Sequence, residues 1–221
     1  MSGKSKLVLD MLQHRDEVFR GSFSRAIHCG PSAHDFEFTS LLVQAFPSIE
    51  RHDRVVRPED LDPYAEKSSQ KLLILDDFGN DAMERKEFKA LFEMGSHHYN
   101  ISVIVVVQNF YSTARHHTTI LRNMSNIIIF NHRGSRSVMK MISSNFAPNG
   151  DSNFLTYCFA TLNLRFPLIR GAHYIMIDLA TDLNLPPDLM FRSFILPTEH
   201  QILFYLYVLS RSTADCFTLI K

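Results

Sequence analysis

Leu72-Leu73-Ile74-Leu75-Asp76-Asp77 decides the fold. Four apolar residues without alternation read as a strand buried on both faces, the environment of a parallel sheet, and the paired aspartates end it at its carboxyl edge. Downstream, Phe88, Leu91, Phe92 and Gly95 fall at the i, i+3, i+4, i+7 spacing of a helical stripe. A second apolar strand then runs from Ile101 to Val107 and closes on Gln108-Asn109. Strand, helix and strand of these lengths predict a right-handed βαβ crossover.

Working outward toward the N-terminus, Leu7, Val8, Met11 and Leu12, then Val18 and Phe19, predict an amphipathic helix that starts at Gly3-Lys4-Ser5 and ends near Gly21. A short strand is expected over Arg25–Cys29, stopped by Gly30-Pro31, followed by a helix over Phe36–Ala45 and a short strand over Ile49–His52. The polar stretch up to Gln70 reads as loop or a short helix. Toward the C-terminus the pattern predicts a strand at Asn126–Phe130, a helix at Ser135–Asn145, a break at Pro148-Asn149-Gly150, a helix at Asn153–Leu162 and a last strand at His173–Ile177. Ile202–Leu209 with the following Ser210–Lys221 is either an extra strand or sequence unrelated to the rest. The expected organisation is one α/β domain over residues 1–200 and a tail over 201–221.

The 221 residues suffice for one sizeable core, and 45% hydrophobic with 21% charged residues is the composition of a globular chain, not a disordered one. Lys+Arg and Asp+Glu balance at 23 each, which argues against a polybasic tail while leaving a local basic patch open. Three widely spaced cysteines, Cys29, Cys158 and Cys216, signal neither a disulfide framework nor a zinc knuckle. Neither a signal peptide nor a membrane helix is expected, because the apolar run Ile202–Leu209 is far below the ~18–20 residues a span requires.

Gly3-Lys4-Ser5 at the head of a helix matches the second half of a phosphate-binding loop. Such a loop aims backbone N–H groups and a helix N-terminus at phosphate oxygens, with Lys neutralising charge and Ser holding Mg²⁺. The triplet alone arises by chance in roughly one chain of this length in ten, so its position before the helix carries the signal. The glycine and buried strand that should precede it are not in this sequence. The stronger half is the Walker B run: Asp76, at the carboxyl end of a buried strand, is placed to hold Mg²⁺, and Asp77 to polarise an attacking water. Gln108, at the neighbouring strand end, can sense a γ-phosphate or orient that water. The expected fold is therefore a P-loop NTPase of the additional-strand class, a three-layer α/β sandwich with a mostly parallel central sheet and its first P-loop strand missing. ATP and Mg²⁺ are the expected cofactors.

The segments LVLDMLQHRDEVF, LLILDDF and LFEMGSHHYNISVIVVVQN (Leu91–Asn109) together resemble the DNA-packaging ATPases of the HerA/FtsK superfamily. The likeness is strongest to the branch of poxvirus-like large DNA viruses and Maverick, Polinton or adintovirus elements, and it covers about Gly3 to Asp178. The resemblance implies a ring-forming ATPase that drives double-stranded DNA into a capsid, with capsid portal or vertex proteins as partners. It also implies a soluble protein in the host nucleus or viral factory, or one carried in the virion. It carries Lys4 and Ser5 onto Walker A, Asp76 and Asp77 onto Walker B, and Gln108 onto the sensor position. Tyr99 stands where this branch often has Arg, so an arginine finger is sought at Arg122 or Arg133. A truncated, catalytically impaired remnant acting as an interaction protein is the alternative, and a small nucleotide kinase a third reading that lacks its Arg-rich lid.

Two further patterns have bland readings beside them. Arg133, Arg136 and Lys140, at i, i+3 and i+7, share one helix face that could contact DNA phosphates or simply be solvated. The adjacent pairs His97-His98 and His116-His117 point apart on a helix and lack the His-x-x-x-His spacing of a zinc site.

Overall fold

The computed structural model describes residues 3–19, 22–30, 36–57, 70–77, 86–95, 100–108, 123–130, 136–147, 150–165, 174–179, 191–192, 201–204 and 217–220, with the single positions 60, 84 and 120. They fall into two compact units, Met1–Asn123 and Met124–Lys221.

The first unit is built on a four-stranded parallel sheet. Its elements are α1 (Gly3–Gln13), α2 (Arg15–Val18), β1 (Phe23–Cys29), α3 (Phe36–Ala45), β2 (Ile49–His52), β3 (Gln70–Asp76), α4 (Lys86–Ala90) and β4 (Ile101–Val106). The strand order is β2-β1-β3-β4, all neighbours parallel. β3 is the most protected strand, with Leu72, Leu73, Ile74 and Leu75 all at 0% exposure, as an unbroken apolar run between two neighbours should be.

One face of this sheet is covered by two helices. Val8, Leu9 and Leu12 of α1 and Phe38, Leu42 and Ala45 of α3 pack with Ala26, Leu72, Ile74 and Val106 in a single apolar cluster. Arg15 ties the helices together: its guanidinium donates to the carbonyl of Ala45 at 3.2 Å and lies 5.5 Å from the centre of the Phe46 ring. A cation at the last carbonyls of α3 also opposes the negative end of its dipole. The opposite face, with Ile27, Leu73 and Leu75, is equally buried.

Several boundaries differ from expectation for local reasons. The first helix stops at Gln13, where His14 leaves helical geometry, and resumes for one turn as α2. The helix after β3 is α-helical only to Ala90; Leu91–Gly95 widens to a π-helix that lies against β4. Phe88 and Leu91 are buried across that change of pitch. β4 is apolar except for Ser102, yet Ser102 to Val105 are only half-buried. Among the described residues no strand pairs with its outer edge.

The second unit holds β5 (Asn126–Phe130), α5 (Arg136–Phe146), α6 (Phe154–Arg165), β6 (Tyr174–Asp178), β7 (Phe191–Arg192), β8 (Gln201–Phe204) and β9 (Phe217–Ile220). These strands form a separate sheet in sequence order, every neighbour antiparallel, where one mostly parallel sheet was expected. The reason is visible between β5 and β6: two packed helices join them instead of one, so the chain returns from the end at which it left. β6 is also not the last strand, because residues of the C-terminal tail form β8 and β9. The turn between the helices uses Gly150 at φ 66°, and Ser143 Oγ accepts the Leu155 amide at 3.1 Å inside the helix pair.

Candidate functional site

The carboxyl ends of β1, β3 and β4 lie side by side because the strands are parallel and in register, Cys29 opposite Leu75 and Asp76 opposite Val106. That edge is where open α/β sheets bind ligands. Alternation along β3 sends Asp76 to the face covered by α1 and α3 and leaves it 5% exposed, whereas Asp77, beyond the strand, is exposed.

Asp77 is held in an unusual backbone conformation. Its φ is 54°, the left-handed region, which an Asp tolerates at a cost and a bulkier side chain tolerates less. The turn is pinned by the Asp77 amide, which donates to the Val106 carbonyl at 3.1 Å. Gln108, just past the end of β4, donates from Nε2 to Asp77 Oδ1 at 2.7 Å. The structure thus joins the two exposed polar groups at adjacent strand ends, and the bond fixes which oxygen of Asp77 remains open.

Asp76 has two neighbours, one on β1 and one just past its end, that sequence patterns did not connect to the acid. His28 Nε2 is 3.7 Å from Asp76 Oδ2, and both side chains are buried. Gly30 lies so close that a Cβ there would sit 2.7 Å from the Asp76 carbonyl oxygen and 3.2 Å from the Asp76 Cβ. Alternation puts Ala26 and His28 on one face, but it cannot say which face carries the acid of another strand. The weak signal in the sequence was a histidine inside an apolar strand two residues before Gly-Pro.

Gly3, Lys4 and Ser5 form the first turn of α1, with Gly3 exposed and Lys4 and Ser5 half-buried. α1 packs on the face of the sheet that carries Asp76. Arg136 and Lys140 are exposed on α5 of the second unit, one turn apart, while Met139 and Ile142 face inward. Arg122 and Arg133 lie outside the described residues, as do both histidine pairs.

The donors at this edge, Asp76 and Asp77, are hard oxygens and suit Mg²⁺, which takes one or two carboxylates and keeps water or phosphate in its other positions. The buried, unsatisfied Nε2 of His28 beside Asp76 marks the same corner as polar in an otherwise apolar face. Among the described residues no three His, Cys, Asp or Glu gather into an all-protein cage. Cys29, next to His28 but on the opposite face, is not a reactive thiol: burial pushes its pKa from 9.0 up to about 11, against a lowering hydrogen bond with the Val56 backbone.

No helix among the described residues is long and apolar enough to cross a membrane. No curated protein and no solved structure matches the chain. Residues 42–146, just under half of the chain and including Asp76, Asp77 and Gln108, match the family model described as Poxvirus A32 protein, which relates this stretch to viral packaging ATPases.

Proposed function

We propose that the chain is a subunit of an ATP-dependent double-stranded DNA translocase of the HerA/FtsK type that packages viral genomes into capsids. The observation that carries the reading is the pairing of Asp77 with Gln108 at adjacent parallel strand ends, inside the stretch similar to the Poxvirus A32 family. In this reading the backbone of Gly3 and the charge of Lys4 hold the nucleotide phosphates. Ser5 and Asp76 hold Mg²⁺, which neutralises phosphate charge when bound. Asp77 accepts a hydrogen bond from the attacking water through the oxygen that Gln108 leaves open, and Gln108 keeps that carboxylate from turning away.

The partners follow from the same reading: double-stranded DNA, further copies of the chain in a ring, and capsid portal or vertex proteins. Arg133, Arg136 and Lys140 are assigned to DNA phosphates, and Arg122 or Arg133 to a neighbour's nucleotide. The outer edge of β4 suits a parallel strand that ends in the glycine-rich half of a phosphate loop and leads into α1. The second reading is a remnant that binds partners without hydrolysis, with the edge of β4 that no strand pairs with among the described residues as its contact surface.

The test is ATP hydrolysis by the purified chain with and without duplex DNA. DNA-stimulated turnover that disappears in Asp77→Asn supports the motor. Turnover unchanged by that substitution refutes the assigned site, and a folded wild type without turnover supports the remnant.

A further inference from the structure

His28 is a polar residue where the fold asks for an apolar one. Its neighbours on the covered face are Ala26, Leu72 and Ile74, its ring meets Phe38 edge-on with centroids 5.8 Å apart, and the residue is 3% exposed. Nε2 has no hydrogen-bond partner. An unsatisfied buried donor or acceptor costs about 1–3 kcal/mol, so an apolar side chain of this size would make the sheet more stable. Among the described residues, the charged partner beside it is Asp76, whose Oδ2 lies 3.7 Å away. That is too long for a hydrogen bond and too short to admit a bridging water, so a movement under 1 Å converts the gap into a direct N–H···O bond.

We propose that His28 is a positioning residue for Asp76: Nε2–H donates to Oδ2, fixes the carboxylate rotamer, and turns the other oxygen toward the divalent cation. The inference rests on the reading of Asp76 as a Mg²⁺ ligand. Geometry supplies the reason for a histidine on β1. Register sets His28 opposite Ile74, so Asp76, two residues further along the same face, is its diagonal neighbour. Gly30, just past the end of β1, has no side chain, and a Cβ there would meet Asp76, which leaves His28 as the side chain of that strand beside the acid. A carboxylate that binds a metal through one oxygen is commonly held by a donor on the other, and losing that donor weakens metal binding by roughly 10–100-fold.

The experiment compares His28→Gln and His28→Met, side chains of nearly equal length of which only Gln donates. Mn²⁺ serves as the probe for direct binding, followed by electron paramagnetic resonance in the presence of ATP, with metal-free ATP affinity measured alongside. The expected result is a loss of roughly 10–100-fold in Mn²⁺ affinity for His28→Met, near wild-type affinity for His28→Gln, unchanged metal-free ATP affinity, and a thermal midpoint for His28→Met at or above wild type. Equal Mn²⁺ affinity in the two variants overturns the proposal. Asp76→Asn separates this failure from that of the underlying reading: if Asp76→Asn abolishes Mn²⁺ binding while His28→Met does not, only His28 is misassigned. If Asp76→Asn leaves Mn²⁺ binding intact, or the wild type binds none, both fall.

Discussion

Adding one methyl group at Gly30 should disturb Asp76 more than most substitutions of the acid's own neighbours. The Cβ of Gly30→Ala would sit 2.7 Å from the Asp76 carbonyl oxygen, where carbon and oxygen normally rest at about 3.3–3.6 Å, so the strands must part by roughly 0.6–0.9 Å. Neither side can yield freely. Gly30 donates its amide to the His52 carbonyl at 3.1 Å, and β3 is bonded to β1 on one side and β4 on the other. Overpacking of this kind costs about 1–3 kcal/mol. Because φ at Gly30 lies outside the left-handed region, alanine also restricts the unfolded chain, a gain of ~0.4–1 kcal/mol. The net loss is about 0.5–2 kcal/mol, which at a urea slope of ~2 kcal/mol/M lowers the midpoint by roughly 0.25–1 M. The chain has no tryptophan, so the transition is followed by far-ultraviolet circular dichroism. On the proposed function, Mg²⁺-dependent ATP binding should also weaken in the same variant, since the displaced atoms belong to Asp76. A midpoint and a binding constant both equal to wild type would refute the close approach of β1 to the acid.

Three other outcomes follow from local geometry. Cys29, its pKa raised by burial to about 11, should resist alkylation at pH 8 in the native state, read by mass spectrometry of the modified peptide. Burial favours its neutral form, so that contribution is full below pH 9, fades as the pH climbs to 11, and amounts to ~2–3 kcal/mol. Asp77→Gly should leave stability unchanged or raise it by up to ~1 kcal/mol, whereas Asp77→Val should lower it by about 1–3 kcal/mol; equal urea midpoints for the two would contradict the left-handed φ of 54°. Ser143→Ala, which strands the buried Leu155 amide, should cost about 1–3 kcal/mol and speed hydrogen exchange at the start of α6.

What the sequence disclosed and what it withheld divide along physical lines. α3 and β2 fall on the residues expected, Phe36–Ala45 and Ile49–His52, because apolar spacing and Gly-Pro punctuation are local signals. β3 and β4 were legible as parallel neighbours from two largely apolar runs, although β4 is only half-buried, and their pairing brings Gln108 to Asp77. The direction of β6 was not drawn from the sequence even though both intervening helices were expected, since it depends on those helices packing on each other, a property of tertiary structure. Nor was the His28–Asp76 contact: strand alternation assigns side chains to two faces but not to the same one across different strands. The π-helix at Leu91–Gly95 escaped for a subtler reason, because Phe88, Leu91 and Phe92 satisfy an α-helical stripe equally well.

The half-buried apolar strand β4 also has a consequence for how the chain is made. Until its outer row of amide and carbonyl groups is covered, two folding chains can capture each other along it as readily as each captures its own partner. Self-pairing is second order in chain concentration and intramolecular completion is first order, so refolding yield should fall as concentration rises, and a lysine at Val103 or Val105 should restore it. The race between those two encounters, more than the depth of the native well, sets how much folded protein is recovered.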